Sequence, residues 1–219
     1  MDAAEPRLSL LGAHALLFDV AGPAFDETLQ RRIWAACVHA TRLPAVTEAV
    51  PGMNNMMVVF RGGARPEEVS ETLLDIWSRT NPQEDQGREF EAAVVYGGSD
   101  GPDLRELAAR IGTTPVEAAR LHAGGAYRVA AVGAMPGFVY LWGLDPRLAW
   151  PRRSTPRLNV LAGSVIIGGA QAGVMPITAP TGWRSIGHTE LRLFDLDAEE
   201  PALLRPGDRL RFVIADVLE

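Results

Sequence analysis

His188, between Gly187 and Thr189, is the side chain whose type best suits proton handling in this chain. An imidazole at such a bend can pass a proton or bind an oxyanion near neutral pH. It can equally pin the bend by a hydrogen bond, and the residues alone leave both roles open. Arg152, Arg153 and Arg157 form a basic cluster. Guanidinium groups grip carboxylates and phosphates bidentately, while an exposed cluster paired to surface acids is the plainer alternative. Gln171 stands among glycines and can donate and accept, as a group recognising an amide must. Trp183 follows Pro180-Thr181-Gly182 and either walls a pocket or fills a core. Ser164 and Ser185 lie outside any Gly-x-Ser-x-Gly elbow, which argues against a serine-hydrolase mechanism. His14, His39 and His122 read as structural or solvated. No histidine and carboxylate pair has ligand spacing, so no tightly bound metal is expected.

These residues sit in a stretch, 133–189, whose glycines and prolines come in short clusters: Gly133–Phe138, Pro151–Arg157, Ala162–Val165, Gly168–Gly173, Ala179–Trp183 and Ile186–Thr189. Glycine and proline are required where torsions are fixed or backbones approach closely. The clusters predict either shaped bends on a rigid scaffold, with Pro136, Gly137, Phe138, Gly163, Gln171, Gly182 and Trp183 as candidate substrate contacts, or the many tight turns of an ordinary all-β domain.

Composition narrows the chemistry. The chain has 219 residues, 47% hydrophobic and 22% charged, as expected of a globular protein with one large domain or two small ones. All 21 basic residues are arginine, so a P-loop lysine and lysine Schiff-base chemistry are excluded. The net charge of −6 argues against general nucleic-acid binding. Apolar runs are too short to span a membrane, and the acidic start Met1–Pro6 does not resemble a signal peptide. A lone Cys37 excludes an intrachain disulfide and fits the cytoplasm.

The first part alternates strand and helix signals. Residues 13–20 predict a strand, Asp26 caps a helix carrying Leu29, Ile33, Cys37 and Ala40, strands follow at Val46–Val50 and Met56–Phe60, and Pro66–Ser78 returns to helix. This β-α-β-β-α order suits a ferredoxin-like α+β domain over 1–86. Asn81–Gly87 reads as a linker. In 87–219, a strand at Phe90–Tyr96 precedes two short helices, the second with Thr114 as N-cap, Pro115 at its first position and Glu117 completing a capping box. A helix-turn-helix is disfavoured, because only Arg120 and His122 could reach bases. Strands at Tyr127–Val132, Ser164–Ile167, Leu191–Phe194 and Arg209–Ile214 predict a mainly β barrel.

The ordered succession of Gly133-x-x-Pro136-Gly137-Phe138-x-Tyr140, Ala162-Gly163-Ser164-Val165, Gly168-Gly169-x-Gln171-x-Gly173, Pro180-x-Gly182-Trp183 and Ile186-Gly187-His188-Thr189 resembles the allophanate-hydrolase subunit 1 family. So do Glu48–Asn55, with its Pro-Gly-Met-Asn-Asn, then Val95–Leu104 and Leu203–Asp208. That family includes a kinase-inhibitor branch and a branch of B-type subunits of bacterial 5-oxoprolinases, which the Pro-Gly-Met-Asn-Asn segment resembles most. The resemblance implies a cyclophilin-like barrel as the second domain. It also implies ATP-dependent opening of 5-oxoproline to glutamate together with homologues of the C-type and A-type subunits, ATP being shared with or bound by those partners. The alternatives it implies are inhibition of a sensor histidine kinase, or partnership in a urea- or allophanate-type amidohydrolase or carboxyltransferase. On the enzyme reading, His188 moves protons, Arg157 holds the substrate carboxylate, and N–H groups of the Gly137 and Gly163–Ser164 bends meet the oxyanion. Ala134, Val139, Leu161, Ala172, Met175, Thr181 and His188 depart from the residues usual in the family.

Overall fold

The structure, a computed structural model, describes residues 5–82 and 87–218. Most of the linker expected over Asn81–Gly87 lies outside the described residues, as do the first four residues of the acidic start. The chain divides into two compact units, Met1–Asp85 and Gln86–Glu219. Among the described residues no helix is long and apolar enough to cross a membrane.

The first unit is an antiparallel sheet with two helices. Strands β1 (Arg7–Leu11), β2 (Ala15–Asp19), β3 (Val46–Pro51) and β4 (Asn55–Phe60) lie in the order β1-β2-β4-β3, with α1 (Glu27–Ala40) and α2 (Pro66–Arg79) between and after them. Asp26 caps α1 as expected, accepting from Leu29 N at 2.9 Å. Strand β1 is an addition to the predicted order. Leu10 and Leu11 remain exposed, so β1 lacks the apolar alternation that marks a half-buried strand and is held by its ladder to β2. Phe18, Ile33, Met56, Leu73 and Trp77 fill the core. Burial pushes the Cys37 thiol up to about 12, which removes it as a nucleophile.

The Pro-Gly-Met-Asn-Asn segment is bonded into the first unit. Asn54 takes the left-handed φ of 54°, which asparagine tolerates better than most residues. Its Oδ1 accepts from Asp26 N at 2.8 Å and its Nδ2 donates to Asp26 O at 2.7 Å. Buried Gln30 accepts from Asn54 N at 2.6 Å and donates to Gly52 O at 2.8 Å. The β3–β4 bend is thus stapled to the start of α1.

The second unit is a closed seven-stranded barrel in the order β10-β7-β6-β13-β5-β12-β9. Its strands are β5 (Glu89–Gly97), β6 (Tyr127–Val132), β7 (Val139–Trp142), β9 (Ser164–Gly168), β10 (Gln171–Val174), β12 (Arg184–His188) and β13 (Arg209–Leu218). A separate ribbon pairs β8 (Arg157–Val160) with β11 (Ala179–Thr181). Helices α3 (Leu104–Arg110) and α4 (Pro115–Ala123) contribute Leu104, Leu107, Ala118 and Ala119 to the barrel's core cluster. Thr114 caps α4 through Glu117 N.

Two expectations are corrected here. The Gly168–Gly173 and Ile186–Thr189 clusters are mostly strand: only Gly169-Ala170 turn, with Gly169 at φ 65°, the positive torsion a two-residue hairpin favours. Leu191–Phe194 is not a strand but holds one isolated bridge, Phe194 to Ala202. The facing segment contains Pro201, which has no N–H to extend a ladder.

Candidate functional site

Alternation along the barrel strands divides their side chains between the barrel core and a second buried cluster on the outer side of the same strands. Val165 and Ile167 of β9, Val139 and Leu141 of β7, and Ala172 and Val174 of β10 enter the barrel core. The intervening Ile166 and Tyr140 belong to a separate cluster with Phe138, Val160, Met175 and Trp183, on the opposite face of the same strands. Phe138 and Trp183 meet edge-to-face with centroids 5.6 Å apart, and Phe138 meets Tyr140 at 5.0 Å. These are favoured aromatic geometries. Glycines allow this closeness. A Cβ on Gly168 would fall 2.4 Å from the Trp183 ring, and one on Gly173 would fall 3.1 Å from Phe138. Gln171 stands two residues from Gly173 on β10, so its side chain shares that outward face. Pro136 is exposed beside Gly137. Thr181 is not strained, its φ being outside the left-handed region, and its Oγ1 accepts from Trp183 N at 3.2 Å.

The basic cluster is governed by Asp103, a residue that lies within a family motif but whose type and neighbours do not single it out. Asp103, 1% exposed at the start of α3, takes both guanidinium arms of Arg157. One contact is Nη2 to Oδ1 at 2.8 Å and the other is Nη1 to Oδ2. It also accepts from Ser185 N at 2.8 Å and faces Arg153 Nη1 at 3.5 Å. This hydrogen bonding holds the Arg157 guanidinium above its ordinary pKa. The fork expected to hold a substrate carboxylate is therefore engaged inside the protein, and Arg157 ties the ribbon strand β8 to α3 and β12. Nothing local in the sequence marks this pairing, since Asp103 and Arg157 lie 54 residues apart.

Gly163, Ser164 and His188 come together at the other end of β9, where His188 pairs in register with Ser164. His188 Nε2 lies 3.0 Å from Ala162 O. A carbonyl only accepts, so Nε2 carries the proton and Nδ1, 3.6 Å from Glu190 Oε1, is left for exchange. A groove of about 280 Å³ runs past this imidazole, with Glu91, Val95 and Glu190 on its walls. Gly163, at φ 82°, packs on the ring: a Cβ there would fall 2.5 Å from Nε2. The N–H groups of Gly163 and Ser164 are already spent, on Met175 O at 2.7 Å and Leu161 O at 3.1 Å. They give no oxyanion hole in this arrangement. Met175 bridges the two groups, since it also donates to Ser164 O at 2.9 Å and lies in the aromatic cluster.

His122 has a different character. It is fully buried in α4, with Nδ1 2.8 Å from the Tyr96 hydroxyl and, among the described residues, no partner for Nε2. Phe212 and Tyr127 flank the ring at 4.7 and 5.2 Å. Desolvation pushes its pKa down to about 3, so it is a neutral core imidazole and cannot read a base.

An α+β unit followed by a closed barrel is an architecture shared with the urea amidolyase of K. lactis. The chain superposes on 15% of that protein with a TM-score of 0.81, over 98% of its own length at 17% identity. Residues 6–204 match the family described as carboxyltransferase domain, subdomain C and D, and the chain belongs to that family. It is 44% identical to a protein of Escherichia coli O157:H7 named as the B subunit of 5-oxoprolinase, over 94% of this chain and 95% of that one. A Bacillus subtilis (strain 168) protein of the same name is 38% identical over 94% and 92% of the two chains. The crystal structure of TTHA0988 matches at 32% identity and a TM-score of 0.78 over 92% of this chain, which spans 40% of the length of that protein.

Proposed function

We propose that this chain is the B-type subunit of a 5-oxoprolinase, opening 5-oxoproline to glutamate with homologues of the A-type and C-type subunits and at the expense of ATP. The observation that carries the reading is 44% identity to a relative of that name across nearly the whole of both chains. The likeness to urea amidolyase, at 17% identity, concerns the fold alone.

The lactam is an unstrained amide, and ATP supplies the activation of its carbonyl oxygen. The chain has no lysine, and the N–H groups of Gly163, Ser164 and Thr189 are bound to carbonyls within it. On this reading ATP is shared with, or bound by, the partner subunits. What remains for this chain is to bind and orient a small, flat cyclic amide. Tyr140 and Gln171, partly exposed beside the buried Phe138–Trp183 pair, offer a ring contact and an amide partner, and Gly137 N–H has no acceptor among the described residues. His188, through Nδ1, is the group able to exchange a proton.

The test is to co-purify the chain with A-type and C-type subunits encoded beside it and to follow ATP-dependent release of glutamate from 5-oxoproline. Release that needs all three subunits supports the reading. No release from a folded, complete complex rejects it.

A further inference from the structure

We infer that Arg152, laid over Trp183, is the residue that recognises the carboxylate of the substrate; this rests on the reading of the chain as a component of a 5-oxoprolinase. Three arginines stand within the segment 151–157, and the structure separates them by what they already hold. Arg157 is spent on Asp103 through both arms, and Arg153 faces the same carboxylate at 3.5 Å. Arg152 alone of the three has no acceptor among the described residues. Its guanidinium carbon lies 5.3 Å from the centroid of the Trp183 ring.

Its placement is fixed from both sides. The next residue, Arg153, donates its backbone N–H to Gly182 O at 2.7 Å. Gly182 also lies against the arginine itself, a Cβ there being in ordinary van der Waals contact with Arg152 Cβ at 3.7 Å. Trp183 is in turn held by Thr181 Oγ1 and by the edge of Phe138. Stacking uses one face of the guanidinium and leaves its in-plane N–H groups unspent, the geometry that binds a carboxylate bidentately. Asp103 thus acts at one remove: by engaging Arg153 and Arg157 it anchors the segment that presents Arg152. The ligand class is a small planar anion, a carboxylate carried on a flat ring, which the same bidentate contact would set beside Tyr140, the partly exposed ring next to buried Phe138 and Trp183.

The experiment compares wild-type, Arg152→Ala and Arg152→Lys in the co-purified complex, with 5-oxoproline and with its uncharged carboxamide as substrates. Losing a charge-assisted contact is expected to raise KM for 5-oxoproline about 10- to 100-fold with little change in kcat. Lysine should restore only part of the loss, because it cannot form the planar fork. KM for the carboxamide should be unchanged by either substitution. Equal KM values for 5-oxoproline in wild-type and Arg152→Ala would overturn the inference while leaving the proposed function intact.

Tryptophan fluorescence of the complex titrated with 5-oxoproline in the absence of ATP, with Trp183→Phe as the assignment control, gives a readout independent of turnover. Saturable quenching that Arg152→Ala abolishes supports the site even if no glutamate forms, in which case the functional reading alone fails. No saturable binding in the wild-type overturns the inference. Unchanged melting temperatures, and Arg152→Gln as a second uncharged variant, exclude misfolding as the cause.

Discussion

A buried carboxylate has few oxygens to share, and at Asp103 that scarcity decides what three neighbouring arginines can do. Removing it leaves Ser185 N–H without its acceptor and Arg157 without its counter-ion. Complete enclosure would make the loss about 3–5 kcal/mol. The Arg157 side chain keeps 31% exposure and can partly rehydrate, so Asp103→Ala is expected to cost about 2–4 kcal/mol in urea unfolding. A change below about 0.5 kcal/mol would mean that the pair is a surface contact. His122 makes a second residue-scale expectation, this time in pH. Its folded pKa of about 3 lies below the ordinary 6.5, so between those values the unfolded chain binds a proton that the folded chain does not. Stability is therefore complete above pH 6.5 and falls as pH drops towards 3, by about 2 kcal/mol between pH 6.5 and 5. Thermal melts across that window should show the fall in wild-type and lose it in His122→Phe, which keeps the ring but not the titration. An identical slope in both would assign the acid sensitivity elsewhere.

At the scale of elements, the sequence makes legible whatever is written locally. Asp26 and Thr114 cap their helices because the cap and its N–H partner are three residues apart. Strands β5, β6 and β13 show apolar runs long enough to be seen, whereas β10, with Gln-Ala-Gly-Val, and β12, with Arg-Ser-Ile-Gly-His, look like turns because glycine serves close packing there. The site is legible to the same degree. Phe138 and Trp183 stand out by type and setting and do meet, but the hold of Asp103 on Arg157 spans 54 residues and has no local trace. The Gly133–Phe138 bend illustrates the limit. It closes through Gly133 N to Phe138 O at 3.0 Å and Phe138 N to Met135 O at 3.1 Å, which places Ala134 at φ 67°. Left-handed alanine costs about 1–2 kcal/mol, and glycine returns part of that as extra freedom in the unfolded chain. Ala134→Gly should thus stabilise by about 0.5–1 kcal/mol in chemical denaturation. A destabilised variant would show that the bend is not under strain.

For the whole molecule the decisive fact is that, among the described residues, each unit has hydrophobic clusters of its own. The cluster around Phe18, Ile33 and Leu73 draws only on the first unit, and those around Tyr96 and Val165, and around Phe138 and Trp183, draw only on the second. Cooperativity follows shared burial, so each unit should melt as its own two-state step. Two substitutions separate the steps. Asn54→Ala removes both side-chain hydrogen bonds to Asp26 and leaves alanine at a left-handed φ of 54°. It should destabilise the first unit by about 2–4 kcal/mol. Asp103→Ala should act only on the second. Differential scanning calorimetry of the two variants is expected to move one transition each and leave the other in place. If both substitutions lower a single shared transition, the units fold as one. Separate transitions would make a practical control available: a variant that loses substrate binding but keeps the barrel transition has lost the site and not the scaffold.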